Sequence, residues 1–182
     1  MSDERLSNVA AVSLVIGGVL GLAGTFVPSA ELRSLAWGID GTFLVVASAL
    51  LTAMYVRRGD VLLAAGFLVF LAGETLIVSG SGMELRASTP SFASGAMLWS
   101  AGLLLVSASP VMPRFVRATG VIAAILLTWT ALQMFSGADI DPLSKPMPFF
   151  AYPFLGFTLF GWAWVHKAPS AVRGSALGGS GR

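Results

Sequence analysis

Long apolar runs, separated by short polar stretches, make up most of this 182-residue chain. The runs are continuous rather than alternating, and each is close to the roughly twenty residues that a helix needs to cross a bilayer. Backbone groups in lipid must be satisfied within the segment, which favours helices over strands. The pattern predicts six membrane spans, at residues 9–27, 36–56, 61–80, 91–108, 115–135 and 149–166.

Composition supports a membrane protein. Hydrophobic residues make up 55% of the chain and charged residues 11%, whereas roughly a quarter of the residues in soluble domains are charged. Cysteine is absent and His166 is the single histidine, so we expect no metal site and no cofactor. We expect an all-α bundle over residues 1–169, followed by a tail, 170–182, with the composition of a flexible linker, native or added for expression.

Basic residues indicate the orientation of the spans. Eight of the eleven Lys and Arg residues lie on the side of the N-terminus, including the pair in the loop VRRGD at 56–60. Loops rich in Lys and Arg stay in the cytoplasm, which predicts that both termini are cytoplasmic. The chain then forms three consecutive helical hairpins whose outer loops are the longer ones. LAGTFVPSAELR at 22–33 resembles LAGETLIVSGSGMELR at 71–86, and either triplication of a hairpin or chance similarity explains the likeness.

Glu74 lies inside the third apolar run, as the one ionisable residue between 61 and 80. A charge exposed to lipid is costly, so intramembrane acids are paired or face a polar cavity. In a functional interpretation Glu74 binds a proton, a cation or a small polar ligand. In a structural interpretation it pairs with Arg33 or Arg86, or bonds to Ser or Thr across a helix interface.

Three other polar residues reach the same outer layer of the predicted bundle. They are Asp40 near the start of the second span, Gln133 near the end of the fifth and Tyr152 near the start of the sixth. We predict that they share an outer polar site with Glu74. An acid in the first turn of a helix is also stabilised by the helix dipole, which by itself explains Asp40.

Glycines form stripes on two of the predicted spans. Gly17, Gly21 and Gly24 share one face of the first, while Gly66 and Gly73 have heptad spacing on the third. Small residues at such spacings let helix backbones approach closely. We therefore predict that these glycines are helix-packing positions, within the chain or against a partner.

The last span is rich in aromatic residues. Trp162, Trp164 and His166, followed by Lys167, fit the belt of amphipathic side chains found at membrane interfaces. Its rings are interpreted as a lipid-facing or packing surface rather than as a cofactor site.

No pattern of catalytic residues is present. His166 is predicted at the face opposite the outer acids, and neither a phosphate-binding loop nor an HExxH motif occurs. The basic residues flank spans and form no patch for nucleic acid. We expect a protein that is not an enzyme.

The first hairpin resembles a known family. The segment IGGVLGLAGTFVPSAELRSLAWGIDGTFLVVASALL at 16–51 has a glycine-rich span ending in Phe-x-Pro, a short loop, and a span with late small residues. In this it is similar to the HdeD-type membrane proteins, which also have six spans. The resemblance implies a bacterial inner membrane and a link to acid stress, without a defined chemical activity.

The sequence thus leaves two main functions open, with a membrane enzyme third. The first is a stress-related or accessory scaffold that packs against membrane lipid and against itself, as a homo-oligomer or as a subunit of a membrane complex. The alternative is a small transporter or channel that uses the outer site around Glu74.

Overall fold

The computed structural model describes residues 3–167 as an all-helical protein. A 3-10 turn, Phe149–Ala151, precedes the last helix, and no strand occurs within these residues. The helices are α1 (Asp3–Phe26), α2 (Ala30–Arg57), α3 (Val61–Gly80), α4 (Thr89–Ala108), α5 (Arg114–Phe135) and α6 (Tyr152–Lys167). The predicted all-α class is confirmed, while the predicted tail at 170–182 lies outside the described residues.

The first hairpin differs from its prediction. Helix α2 begins at Ala30, six residues before the predicted start, because Ser29 caps it: the Oγ of Ser29 accepts a hydrogen bond from the amide of Leu32 at 3.3 Å. Only residues 27–29 connect α1 to α2, so the expectation of a longer outer loop is wrong here. The earlier start places Asp40 deeper in the bundle than predicted and outside the first turn of its helix.

Helices α1 to α5 are each long and apolar enough to cross a membrane. Helix α6 has 16 residues and is shorter than a full span, although the preceding turn lengthens the helical segment. By length and composition, the described part of the chain is that of an integral membrane protein.

The six helices form a closed ring. Each packs against its neighbours in sequence, and α6 returns to pack against α1. Large apolar side chains from four helices fill the interior, including Leu14, Leu51, Phe67 and Leu127.

The outside of this ring is more apolar than a soluble bundle would allow. On α1, Val12 and Val19 are about half exposed, whereas Ser13, Gly17 and Gly18 are buried. Small residues inside and branched apolar residues outside are characteristic of helices packed in lipid.

The glycine stripes lie between helices of the same chain. A side chain at Gly17 would approach Leu44 of α2 to 2.6 Å, and one at Gly24 would approach Trp37. Gly66 and Gly73 of α3 face α4 in the same way. Gly21 faces the carboxyl group of Asp40.

We call the end of the ring that carries Asp3 and Lys167 the terminal face, and the other end, with the loops 27–29, 81–88 and 136–148, the loop face.

At the terminal face, the Oγ of Ser7 donates to the carbonyl of His166 at 2.6 Å. The Nδ1 of His166 lies 2.6 Å from the carbonyl of Trp162 and therefore carries the ring proton. Its Nε2 accepts from the hydroxyl of Tyr55 at 2.9 Å.

The predicted aromatic belt on the last helix is therefore wrong for Trp162 and His166, which are buried. Trp164 and Lys167 are exposed. Trp162 and His166 are four residues apart and lie on the face of α6 that points to the ring interior, where His166 makes hydrogen bonds and ring contacts.

Candidate functional site

A cavity of about 340 Å³ enters the ring from the loop face. Every helix except α5 contributes to its wall, and the loops before α4 and before α6 border it. Asp40 lies ten residues along α2 from Ala30, so it is about 15 Å below the end of that helix. The cavity thus brings solvent-facing surface deep into a helix bundle.

Asp40 borders the cavity between α1 and α3. Its carboxyl group lies against Gly21, where a Cβ atom would approach the Oδ2 to 2.7 Å. Glycine at this position makes room for the acid. The Oδ1 atom is buried and has no hydrogen-bond partner.

Glu74 lies behind Asp40 and is only 1% exposed. Its Oε1 lies over Gly41, where a Cβ atom would approach it to 2.9 Å, and its Oε2 has no hydrogen-bond partner. The two carboxyl groups are close enough to interact electrostatically. The indole of Trp99 lies beside Glu74, but its Nε1 meets no acceptor at hydrogen-bond geometry.

The structural interpretation of Glu74 does not hold within residues 3–167. Arg86 pairs with Asp139 at the surface. Arg33 donates to the carbonyl of Val27 at 3.2 Å and lies over the ring of Trp37, with 5.9 Å to its centroid. Neither arginine forms an ion pair with Glu74, and no Ser or Thr bonds to its Oε2.

The other two predicted site residues have different surroundings. Tyr152 borders the cavity and donates its hydroxyl hydrogen to the carbonyl of Pro142, so it holds the preceding loop over the site. Gln133 is half-buried on α5 and is not part of the cavity wall. The structure therefore places Asp40 and Tyr152 in the cavity wall and Glu74 beside Asp40 but outside the wall, and it leaves Gln133 apart.

Aromatic residues that the sequence did not single out form much of the wall. Phe92 makes edge-to-face contacts with Trp99 and Tyr152, with ring centroids 6.4 and 6.5 Å apart. Across the cavity, the indole of Trp37 donates to the carbonyl of Gly21 at 3.2 Å. Trp37 and Asp40 are one turn apart on α2 and so share a face of that helix, and this spacing is the feature of the sequence that could have predicted an aromatic residue beside the acid.

Below the acids the ring interior is closed. Trp162 packs edge-to-face against Phe67 and Phe70, with centroids 5.0 and 5.3 Å apart. All three side chains are fully buried. The cavity is therefore accessible from the loop face, and an aromatic layer separates it from the terminal face.

Charges at the mouth are mixed. Arg33, Arg86, Glu84 and Asp141 line it, whereas the two acids deeper inside have no basic partner among the described residues. Within residues 3–167, no group of three or more His, Cys, Asp or Glu residues could hold a metal ion. The inner site is a carboxyl pair surrounded by aromatic and apolar groups.

Comparison with protein-family models, with curated proteins and with solved structures gave no match for this chain. The function must therefore be argued from the site, and the similarity to HdeD-type proteins stays a prediction.

Proposed function

We propose that this chain is a small membrane transporter that binds a cation in the cavity, with Asp40 and Glu74 exchanging that cation for a proton. The observation that supports this most is Glu74, which is buried beside a second acid and has no basic partner within the described residues.

Electrostatic repulsion is the reason why the two acids need a proton or a cation. Two neighbouring carboxylates in a low-dielectric site repel each other, and desolvation penalises each charge. Without a basic partner, the pair is neutralised by a proton or by a bound cation. The cavity gives both ligands a route from the loop face, so binding of one can displace the other.

Transport then requires the aromatic layer of Phe67, Phe70 and Trp162 to part. A cavity open to one face above a closed layer is the arrangement expected of one state of an alternating-access protein. We propose that rearrangement of α6 against α3 exposes the acids to the terminal face.

The orientation is part of the proposal. Arg57, Arg58 and Arg114 lie at helix ends of the terminal face, and basic loops favour the cytoplasm. We propose six spans in a bacterial inner membrane, both termini inside, and a cavity that opens outward.

The scaffold function, expected first, has less support. Its packing surfaces were the glycine stripes, and these lie against neighbouring helices of the same chain. A homo-oligomer or a larger complex stays a prediction, as does the expectation that the chain is not an enzyme.

The test is cation-driven proton movement in proteoliposomes. The full chain is reconstituted with a pH-sensitive dye in an acidic lumen, and Na⁺, K⁺ or an impermeant quaternary ammonium is added outside. We expect at least one of these cations to raise the lumenal pH, and the Glu74→Gln and Asp40→Asn variants to abolish the effect.

Glu31→Gln is the matched control, because Glu31 is an exposed acid on the same helix as Asp40. It should keep the wild-type response. The proposal is wrong if no cation moves protons, or if Glu74→Gln matches the wild type in a preparation that remains folded.

A further inference from the structure

The cavity wall contains both a carboxyl group without a basic partner among the described residues, that of Asp40, and several aromatic rings. Trp37, Phe92, Trp99 and Tyr152 surround the space beside Asp40. We propose that its ligand is a small organic ammonium ion, an inference that rests on the proposed cation-binding function. The carboxyl pair neutralises the positive charge, and the rings contact the alkyl groups.

Aromatic rings attract cations through their negative faces. The attraction strengthens when the site excludes water, and tryptophan is the best partner. Two of the five tryptophans of the chain border this one cavity. An ammonium ion bearing alkyl groups gains from both the rings and the acids.

A hydrated inorganic cation fits the wall less well. Calcium takes six to eight oxygen ligands, and magnesium keeps several waters. Leucine side chains from three elements of the wall, Leu22, Leu44, Leu155 and Leu159, also face the cavity. Such groups cannot replace water around a small hard ion, whereas they pack well against methyl and methylene groups.

Carboxyl oxygens without partners in residues 3–167 lie at the cavity wall and directly behind it. Asp40 lines the cavity and its Oδ1 is a buried acceptor without a donor, while Glu74, which lies behind Asp40 and outside the wall, has a second such oxygen, Oε2. An N–H of an amine can donate to such an oxygen, and a quaternary ammonium can balance its charge. The cavity volume is at the lower end of the roughly 300–1,000 Å³ range of ligand pockets, which limits the ligand to a small ion.

The ammonium group can come from two sources. One is a soluble organic cation that enters from the loop face. The other is the headgroup of an amine-bearing lipid such as phosphatidylethanolamine. The chemistry that the cavity recognises is the same in both cases.

Binding of choline by the full chain in nanodiscs tests the inference. Isothermal titration is carried out in phosphatidylglycerol nanodiscs, which contain no amine, with choline and with its uncharged isostere 3,3-dimethyl-1-butanol. We expect one choline site per chain and at least about tenfold weaker binding of the isostere, a difference of about 1.4 kcal/mol.

Two variants test the acid and the ring separately. Glu74→Gln should weaken choline binding at least about tenfold, because it removes a negative charge from a desolvated site. Trp99→Leu should weaken it about 2- to 30-fold, the range of a cation–π contact. Trp129→Leu and Glu31→Gln are the controls, since both residues are exposed and lie outside the cavity wall.

Equal binding of choline and its isostere, or binding unaffected by both Glu74→Gln and Trp99→Leu, overturns the inference. If Na⁺ or K⁺ drives proton movement while choline does not bind, the ammonium assignment fails and the proposed transport function stands. If choline binds but no cation moves protons, the transport function fails instead.

Repeating the titration in phosphatidylethanolamine nanodiscs distinguishes the sources. Weaker choline binding there identifies the lipid headgroup as a competing ammonium ligand. Unchanged binding excludes that headgroup as a competitor and leaves a soluble cation as the source. Either result is consistent with recognition of an ammonium group.

Discussion

Replacing Glu74 with methionine should make the protein more stable while removing its proposed activity. Glu74 is almost completely buried, and its Oε2 has no hydrogen-bond partner. A buried polar group without a partner costs about 1–3 kcal/mol. Methionine has a similar length and volume, and its flexibility lets it fit the space beside Trp99 with little strain.

Some of that gain is offset by imperfect packing of the new side chain, which for volume-conserving exchanges costs less than about 1.5 kcal/mol. We expect a net stabilisation of about 1–2 kcal/mol, because the unsatisfied carboxyl group is the larger effect. For a chain of this size that corresponds to a melting temperature higher by about 2–8 °C.

Thermal unfolding of the purified protein in one detergent measures the effect. Glu84→Met is the control, because Glu84 is an exposed acid at the cavity mouth and should change stability by no more than about 0.5 kcal/mol. A lower melting temperature for Glu74→Met, with Glu84→Met unchanged, would show that the carboxyl group stabilises the fold. The argument that the Glu74 carboxyl group is unsatisfied in the fold would then fail.

Three further predictions concern the stability of the fold, each measured by thermal unfolding in detergent. Gly102→Ala should destabilise the protein by about 1–3 kcal/mol, since its Cβ would lie 2.8 Å from a backbone nitrogen of α3. Gly82→Ala is the control, because the space around Gly82 is open, and equal effects of the two variants would contradict the packing argument. Tyr55→Phe should cost about 0.5–1.5 kcal/mol by removing the hydrogen bond to His166, and an unchanged melting temperature would mean that the bond contributes nothing. Asp60→Ala should cost about 1 kcal/mol because Asp60 caps α3, whereas Asp60→Asn, which retains a capping oxygen, should largely restore stability.

The sequence predicted the helices better than their ends. Hydropathy located α3 correctly at both ends, from Val61 to Gly80. It missed the start of α2 because residues 30–35 include Glu31 and Arg33, which lower the apolar average, while the capping role of Ser29 is a local hydrogen bond that averaging ignores. At this end of α2, the capping residue Ser29 predicts the start of the helix better than hydropathy does.

The site was predicted in part, for a similar reason. Depth along each span grouped Glu74 with Asp40, and the two acids do lie close together, although the early start of α2 at Ala30 puts Asp40 deeper than the predicted span gave. Depth does not say which way a side chain points, so Gln133 was grouped with residues that it does not approach. The aromatic wall depends on which faces of α2 and α4 turn inward, and that is decided by packing around the ring.

Proton release on choline binding distinguishes exchange of a cation for a proton from binding of the cation alone. The full chain is titrated with choline in two buffers of different ionisation enthalpy, so that the difference in heat counts the protons released. If the cation displaces a proton from Asp40 and Glu74, about one proton should leave per choline bound, and Glu74→Gln should abolish the release. Choline binding whose heat is the same in both buffers would show that no proton is released, and cation–proton exchange at Asp40 and Glu74 would be refuted.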